Sequence, residues 1–281
     1  MKHVFRMAAM RLAAMRLAAM LLIIIVLLPL YLLCIQSFVP PFDALGISTG
    51  TLSVQLFPNP ISTEQWQQLF SYSQYWVAFW RSLGWTTAAC LIQVLVSFFA
   101  GYVLAKQRTR WCIVLVGAYM LMMLMPPQMT LLPIYRVAYA NHLLNHPLLL
   151  YAPVAFTPFG TILMRQILLH WPDELTEYLR LEGGSTVQLM RSGLIPYCLP
   201  SLAVLFALTF AEGWNLVEQP LLLVSDSLKQ PLSGLLKELS TNNPQIIFAA
   251  SLMALVPVII AMLALRGTMR LSFCISNAKQ Q

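Results

Sequence analysis

Six stretches of predominantly apolar residues, near 18–39, 82–105, 111–132, 147–168, 197–222 and 246–265, constrain this chain more than any other feature. About 20 such residues in a helix cross a hydrocarbon layer of ~30 Å, and a helix satisfies its own backbone there. The chain is 59% hydrophobic and 10% charged, with a mean hydropathy of +0.72, whereas soluble domains are roughly a quarter charged. The expected fold class is therefore an all-α membrane protein with six transmembrane helices. Pro29, Pro126, Pro127, Pro153, Pro158 and Pro257 fall inside the runs. Membrane helices tolerate them because neighbours or water can satisfy the freed carbonyls, so kinks are expected at these points.

Orientation follows from the cations. With both termini cytosolic, the inner segments hold Lys2, Arg6, Arg11, Arg16, Lys106, Arg108, Arg110, Arg165, Arg180, Arg191, Arg266, Arg270 and Lys279. Only Arg81, Arg136, Lys229 and Lys237 of the 17 Lys and Arg then lie outside, the asymmetry that the positive-inside rule expects. The net charge of +7 is thus a matter of topology and of contact with membrane lipid; it does not point to nucleic acid. The N-terminus repeats Arg-(Met or Leu)-Ala-Ala-Met three times over residues 6–20. Successive copies advance about 140° around a helix and form no stripe, so residues 1–17 read as a basic cytoplasmic anchor. A secretory signal fits less well, because the apolar run Leu17 to Leu33 exceeds the roughly 7–15 residues usual there and no A-x-A site follows. Residues 18–270 form the expected membrane domain, and 271–281 a cytoplasmic tail.

Between the fourth and fifth runs lies a polar stretch, Pro172 to Pro200, within which residues 171–196 are expected to form a cytoplasmic helical hairpin. Pro172 suits a helix start, and Asp173 and Glu174 in the first turn favour the positive end of the helix dipole. Gly183 and Gly184 stop the helix, giving a segment from Asp173 to Glu182 about 15 Å long. Ser185 with Gln188 three residues on reads as a capping box for a second helix from Thr186 to about Ile195. On physics alone the alternative reading is an ordinary amphipathic interfacial loop helix.

Polar side chains within the runs are few: Gln93, Gln128, Gln166, Glu212 and Asn215, with Trp214 beside the last. A carboxylate at depth costs roughly 2.5–3.5 kcal/mol on insertion scales, so Glu212 should face a cavity, a partner helix or water, about 18 Å up its helix from Pro200. So few fixed charges favour an uncharged, hydrogen-bonding cargo. Trp214 either stacks on a sugar face or belongs to the interfacial aromatic belt, as Trp66, Tyr72, Tyr75, Trp76, Trp80 and Trp85 do around a short external helix between the first two runs. Five cysteines, Cys34, Cys90, Cys112, Cys198 and Cys274, show no paired spacing and read as small hydrophobes. His142 and His146 stand one turn apart but lack the further ligands a metal needs. No G-x-x-x-x-G-K-[ST] occurs, and Gly183-Gly184-Ser185-Thr186 lacks its lysine. The chain is thus expected to bind no cofactor or metal and not to be an enzyme.

The polar stretch resembles the EAA loop of binding-protein-dependent ABC importer permeases, in particular the carbohydrate subfamily related to the maltose and glycerol-phosphate permeases. Glu177 matches the Glu of that loop, Gly183 its Gly and Pro196 its final Pro, at the family's separations. Pro172, Glu174, Leu175 and Pro200 around it match as well, as do Trp214, Asn215, Pro220 and Pro231-Leu232 further on. Tyr178 and Leu179 replace the two alanines, Glu182 an Asp, and Gly193 and Ile195 the usual Ile and Leu. The resemblance implies a permease of six helices, with Glu174, Glu177, Tyr178, Leu179, Glu182, Gly183 and Pro196 forming the contact with a separate ATPase. Gln93, Gln128, Glu212, Trp214 and Asn215 then become candidates for the solute pathway. It further implies a second homologous permease subunit, two ABC ATPase subunits that bind the ATP and Mg, and an extracytoplasmic solute-binding protein meeting the outer loops at 40–81 and 218–245. The location implied is the cytoplasmic membrane of a prokaryote. Sugars or polyols are the implied cargo, moved by alternating access. The alternatives are an ABC permease for another solute class and an ion-coupled secondary transporter, though the latter should show paired carboxylates or repeated halves.

Overall fold

The structure, a computed structural model, describes residues 2–40, 60–107, 109–181, 183, 185–242 and 244–278, and among them it is helical without a strand. In chain order the helices are α1 (Lys2–Gln36), α2 (Glu64–Ser71), α3 (Ser73–Lys106), α4 (Arg110–Leu124), α5 (Pro127–Ala140), α6 (Leu148–Ala155), α7 (Pro158–Leu169), α8 (Asp173–Leu181), α9 (Thr186–Trp214), α10 (Glu218–Leu223), α11 (Leu232–Asn242) and α12 (Ile247–Ala278). Five stretches are long and apolar enough to cross a membrane: Met15–Gln36, Ser73–Lys106, Leu148–Leu169, Thr186–Trp214 and Ile247–Gly267.

The expected third span, 111–132, is not one straight helix. It divides into α4 and α5, which meet at 97°, so it counts as a sixth crossing only if the bent pair is taken together. The cause is local. Met125 precedes a proline and is driven to extended backbone, φ −78° and ψ 126°, and neither Pro126 nor Pro127 has an N–H with which to continue the ladder. A milder break interrupts the fourth span at Phe156 and Thr157, before Pro158. The fifth run also differs from expectation, because its helix ends at Trp214 and residues 218–223 form the separate α10.

The second helix of the hairpin does not end near Ile195 either. It runs on as α9, with a π-helical turn over Leu189–Leu194 just ahead of Pro196. A proline at 196 cannot donate to Ser192, and its ring crowds that carbonyl; widening the turn relieves both.

By their contacts the residues divide into two compact units, 1–75 with 236–255 and 76–235 with 256–281. In the first, α2 is the short helix expected between the first two spans. Buried Gln65 on it donates from Nε2 to the carbonyls of Gln36 (2.7 Å) and Val39 (2.9 Å), satisfying acceptors that the end of α1 leaves open. Tyr75 donates its hydroxyl to the Ala250 carbonyl at 2.8 Å. Phe38, Trp66 and Phe70 follow one another with ring centroids 6.0 and 6.4 Å apart.

The second unit is built on α3, which has an apolar cluster at each of two levels. One joins Phe98 and Ala105 to Met164, Leu168, Trp171, Leu189, Leu194, Cys198 and Leu205, and so ties α3, α7 and α9 together where α8 is mounted. The other joins Ala89 to Leu150, Tyr151, Val154, Leu216, Leu223 and Val224. At the first of these levels α7 lies so close to α3 that a Cβ on Gly101 would sit 2.7 Å from Met164 Cβ and 2.9 Å from the Arg165 backbone nitrogen. Small residues at such crossings let helix backbones approach in lipid. Gly101→Ala should therefore lower stability by about 1–3 kcal/mol, the usual cost of overpacking, measured as the unfolding midpoint in detergent.

Candidate functional site

The polar stretch folds into α8, nine residues long, projecting between α7 and α9. Its end is set by Gly183, whose φ of +76° is the left-handed conformation that closes a helix without steric cost only in glycine. Ser185 starts the next helix by accepting the Gln188 N–H on its Oγ at 3.2 Å, as the capping pattern predicted.

Glu174, Glu177, Tyr178 and Gly183 on this loop are exposed. So are the apolar side chains Leu175, Leu181 and Val187, with Leu181 at 87% and Val187 at 73% exposure. Pro196 is exposed as well. Glu182 and the side chain of Leu179 lie outside the described residues. Glu177 makes no ion pair among the described side chains. Acidic and apolar side chains thus share the exposed surface of this loop.

What fixes α8 to the membrane helices is Trp171. It is buried, donates its indole Nε1–H to Thr176 Oγ1 at 2.9 Å, and meets the Tyr197 ring edge-on at 5.2 Å. Counted from the helix start it stands just before the cap and Thr176 is the fourth helical residue, the two positions that a hydrophobic staple joins. The order Trp-Pro-Asp with Thr five places after the Trp is the sequence signal for this clamp. Trp171 also accounts for Gly193, since a Cβ there would come within 3.2 Å of its Cη2 atom; the indole fills the space. Removing the hydrogen bond alone, in Thr176→Val, should cost about 1 kcal/mol and detach α8 more readily, seen as faster proteolysis of the loop.

The in-span candidates do different things. Gln93 is fully buried. Its Nε2 donates to the Thr157 carbonyl (2.9 Å) and Oγ1 (2.8 Å), and its Oε1 accepts the Thr157 N–H at 3.1 Å. It thus satisfies the backbone exposed by the break before Pro158. Trp214 is buried too, stacked on Phe210 at 5.7 Å and edge-on to Phe79 at 5.7 Å. Gln128 is exposed and donates to Glu218 Oε2 at 3.1 Å, joining α5 to α10. Asn215, also exposed, donates to the Ala211 carbonyl of its own helix at 2.9 Å. Glu212 is exposed one turn earlier. Among the described residues no group of three or more His, Cys, Asp and Glu could hold a metal ion.

Residues 93–270 match the model of a protein family described as binding-protein-dependent transport system inner membrane component. The chain is similar to the sn-glycerol-3-phosphate transport system permease protein UgpE of Salmonella typhi, 30% identical over 149 residues that make up 51% of this chain and 53% of that one. It is likewise similar to the protein of that name in Yersinia pestis bv. Antiqua, 28% identical over 151 residues, 52% of this chain and 54% of the relative. The matched part spans about half the length of these relatives. Among solved structures it shares its fold with a chain of a bacterial ABC transporter involved in the import of the acidic polysaccharide alginate, at a TM-score of 0.76 and 21% identity, covering 92% of this chain and 96% of the other.

Proposed function

Because this chain belongs to the family of binding-protein-dependent transport system inner membrane components, we propose that it is the permease subunit of an ATP-driven importer in which α8 is the coupling helix. The observation that carries this reading is the mounting of α8: a short helix with exposed Glu177, Tyr178 and Leu181, closed by left-handed Gly183 and clamped by Trp171 to the cluster that joins α3, α7 and α9. A load applied to α8 passes into three membrane helices at once. A groove on a separate ATPase subunit would take this helix, with ATP and Mg bound on that partner, and closure of two such subunits would tilt this permease against a second homologous one. The cation asymmetry supports a cytoplasmic α8 and cytoplasmic termini. An extracytoplasmic binding protein would deliver the solute, a sugar or polyol, to the opposite side.

The test is affinity purification of the chain from its native membrane, followed by reconstitution. An accompanying ATPase, stimulated by an extracytoplasmic protein loaded with a sugar, is the expected result. Uptake driven by an ion gradient with no ATPase present would overturn the reading.

A further inference from the structure

The bend that splits the third run sets the depth of α5. With its 15 residues, α4 rises about 22 Å, short of a hydrocarbon layer of ~30 Å, and α5 leaves it at 97°. With α4 crossing the layer, α5 lies along the membrane plane near the boundary of acyl chains and headgroups, where interfacial helices settle. Its side chains suit that depth. Tyr135 and Tyr139 stack one turn apart with ring centroids 6.2 Å from one another, and such rings belong at headgroup level.

Between α5 and α6 runs an open groove of about 440 Å³, walled by Ile134 and Val137 of α5, by Leu148, Leu149 and Ala152 of α6, and by one proline from each helix. No polar side chain lines it, and Val137 and Leu148 are exposed. Arg136 stands at its edge, beside Val137 in the chain and one helical turn beyond Pro133 of the wall. It is exposed and makes no hydrogen bond or ion pair among the described residues. From Pro127 to Ala155 the sequence holds no Asp, Glu or Lys, so Arg136 is the one fixed charge of α5, α6 and the loop between them. Glu218 meets α5 at Gln128, two turns and about 12 Å along the helix from Arg136.

We propose that this groove holds an acyl chain of an anionic phospholipid whose phosphate is bound by Arg136. The headgroup is selected by charge. A planar guanidinium takes two phosphate oxygens at once, and an anionic headgroup such as phosphatidylglycerol offers no cation of its own to compete for them, whereas a zwitterionic one does. The tail is selected by size and polarity. A second helix is about 10–12 Å across and would fill the groove within about one turn, while a single flexible chain follows apolar walls of this shape. The inference needs only that the chain is embedded in a membrane; it is independent of the transported solute and of any ATPase.

The experiment places the full chain, with the subunits that accompany it, in nanodiscs made of equal parts phosphatidylglycerol and phosphatidylcholine. One lipid or the other carries a diazirine on its acyl chain, and after illumination the adducts on residues 127–155 are measured by peptide mass spectrometry relative to those on the rest of the chain. Phosphatidylglycerol should label this segment about fivefold more than phosphatidylcholine, the enrichment that one arginine at an anionic headgroup supports. Arg136→Gln should bring the two lipids to parity, and Arg136→Lys, which keeps the charge, should retain most of the preference. Val137→Trp, which fills the groove from an exposed position, should lower labelling by both. Equal labelling in the native chain, a preference that survives Arg136→Gln, or unchanged labelling in Val137→Trp overturns the proposal. So does a segment that neither lipid labels, because another protein surface, such as a second permease subunit, then covers the groove.

Discussion

Uptake should fall to background in Glu177→Lys and in Gly183→Pro, and the ATPase should wash away from the purified chain, while both variants still insert into the membrane. The two act by different physics. Glu177 is an exposed carboxylate with no ion pair among the described side chains, so reversing its charge costs the isolated chain little. On a docked face the same change sets a cation where a partner expects an anion, and juxtaposed like charges cost several kcal/mol. Gly183→Pro is a backbone lesion. Proline is locked near φ −65°, whereas the native angle is +76°, so α8 can no longer end there and its direction is lost. Gly183→Ala separates geometry from side chain, because it strains the left-handed site by about 1–2 kcal/mol without forbidding it and should retain partial uptake. Wild-type uptake in both Glu177→Lys and Gly183→Pro would refute the coupling role, and labelling of a cysteine at 177 from the exterior alone would refute the topology on which it depends.

The second large effect is on stability. Gln93→Leu should destabilise the chain by about 1–4 kcal/mol, because two backbone groups of half-buried Thr157 lose their partner and each such orphan, if fully buried, would cost roughly 1–3 kcal/mol. The side chain replaced is itself fully buried, and leucine brings no donor or acceptor to the helix break before Pro158. Gln128→Leu is the control: it removes an equally long amide whose bond to Glu218 is exposed, and it should stay within about 0.5 kcal/mol of the native chain. Thermal unfolding in nanodiscs, read by loss of monodisperse elution, distinguishes them. Equal midpoints for the two variants would show that Gln93 is not what holds the broken span together.

Much of the loop was legible because its signals act over a few residues. Gly183 as a left-handed stop and Ser185 as a cap for the Gln188 N–H were both readable from order alone, and so was a short helix among the aromatics between the first two spans. The prolines announced trouble in the third run, but not a bend of 97°; a proline removes one bond and crowds another, while the neighbours decide how far the chain turns. Gln93 and Trp214, read as candidates for the solute pathway, are buried in the structure, one spent on a backbone break and the other among phenylalanine rings. Nothing near either residue in sequence distinguishes those environments from an aqueous cavity.

The sequence by itself determined that the chain crosses lipid in several helices and where α8 begins and ends. These depend on hydropathy, on charge, and on hydrogen bonds within one helical turn. Only the tertiary structure decided that Thr157 would be satisfied from 64 positions away and that an indole before Pro172 would fasten α8 to three helices. Apolar side chains in a membrane span are largely interchangeable to lipid, so the runs say that helices exist but not which faces meet. Close approach at a glycine and the pairing of scarce polar groups settle that.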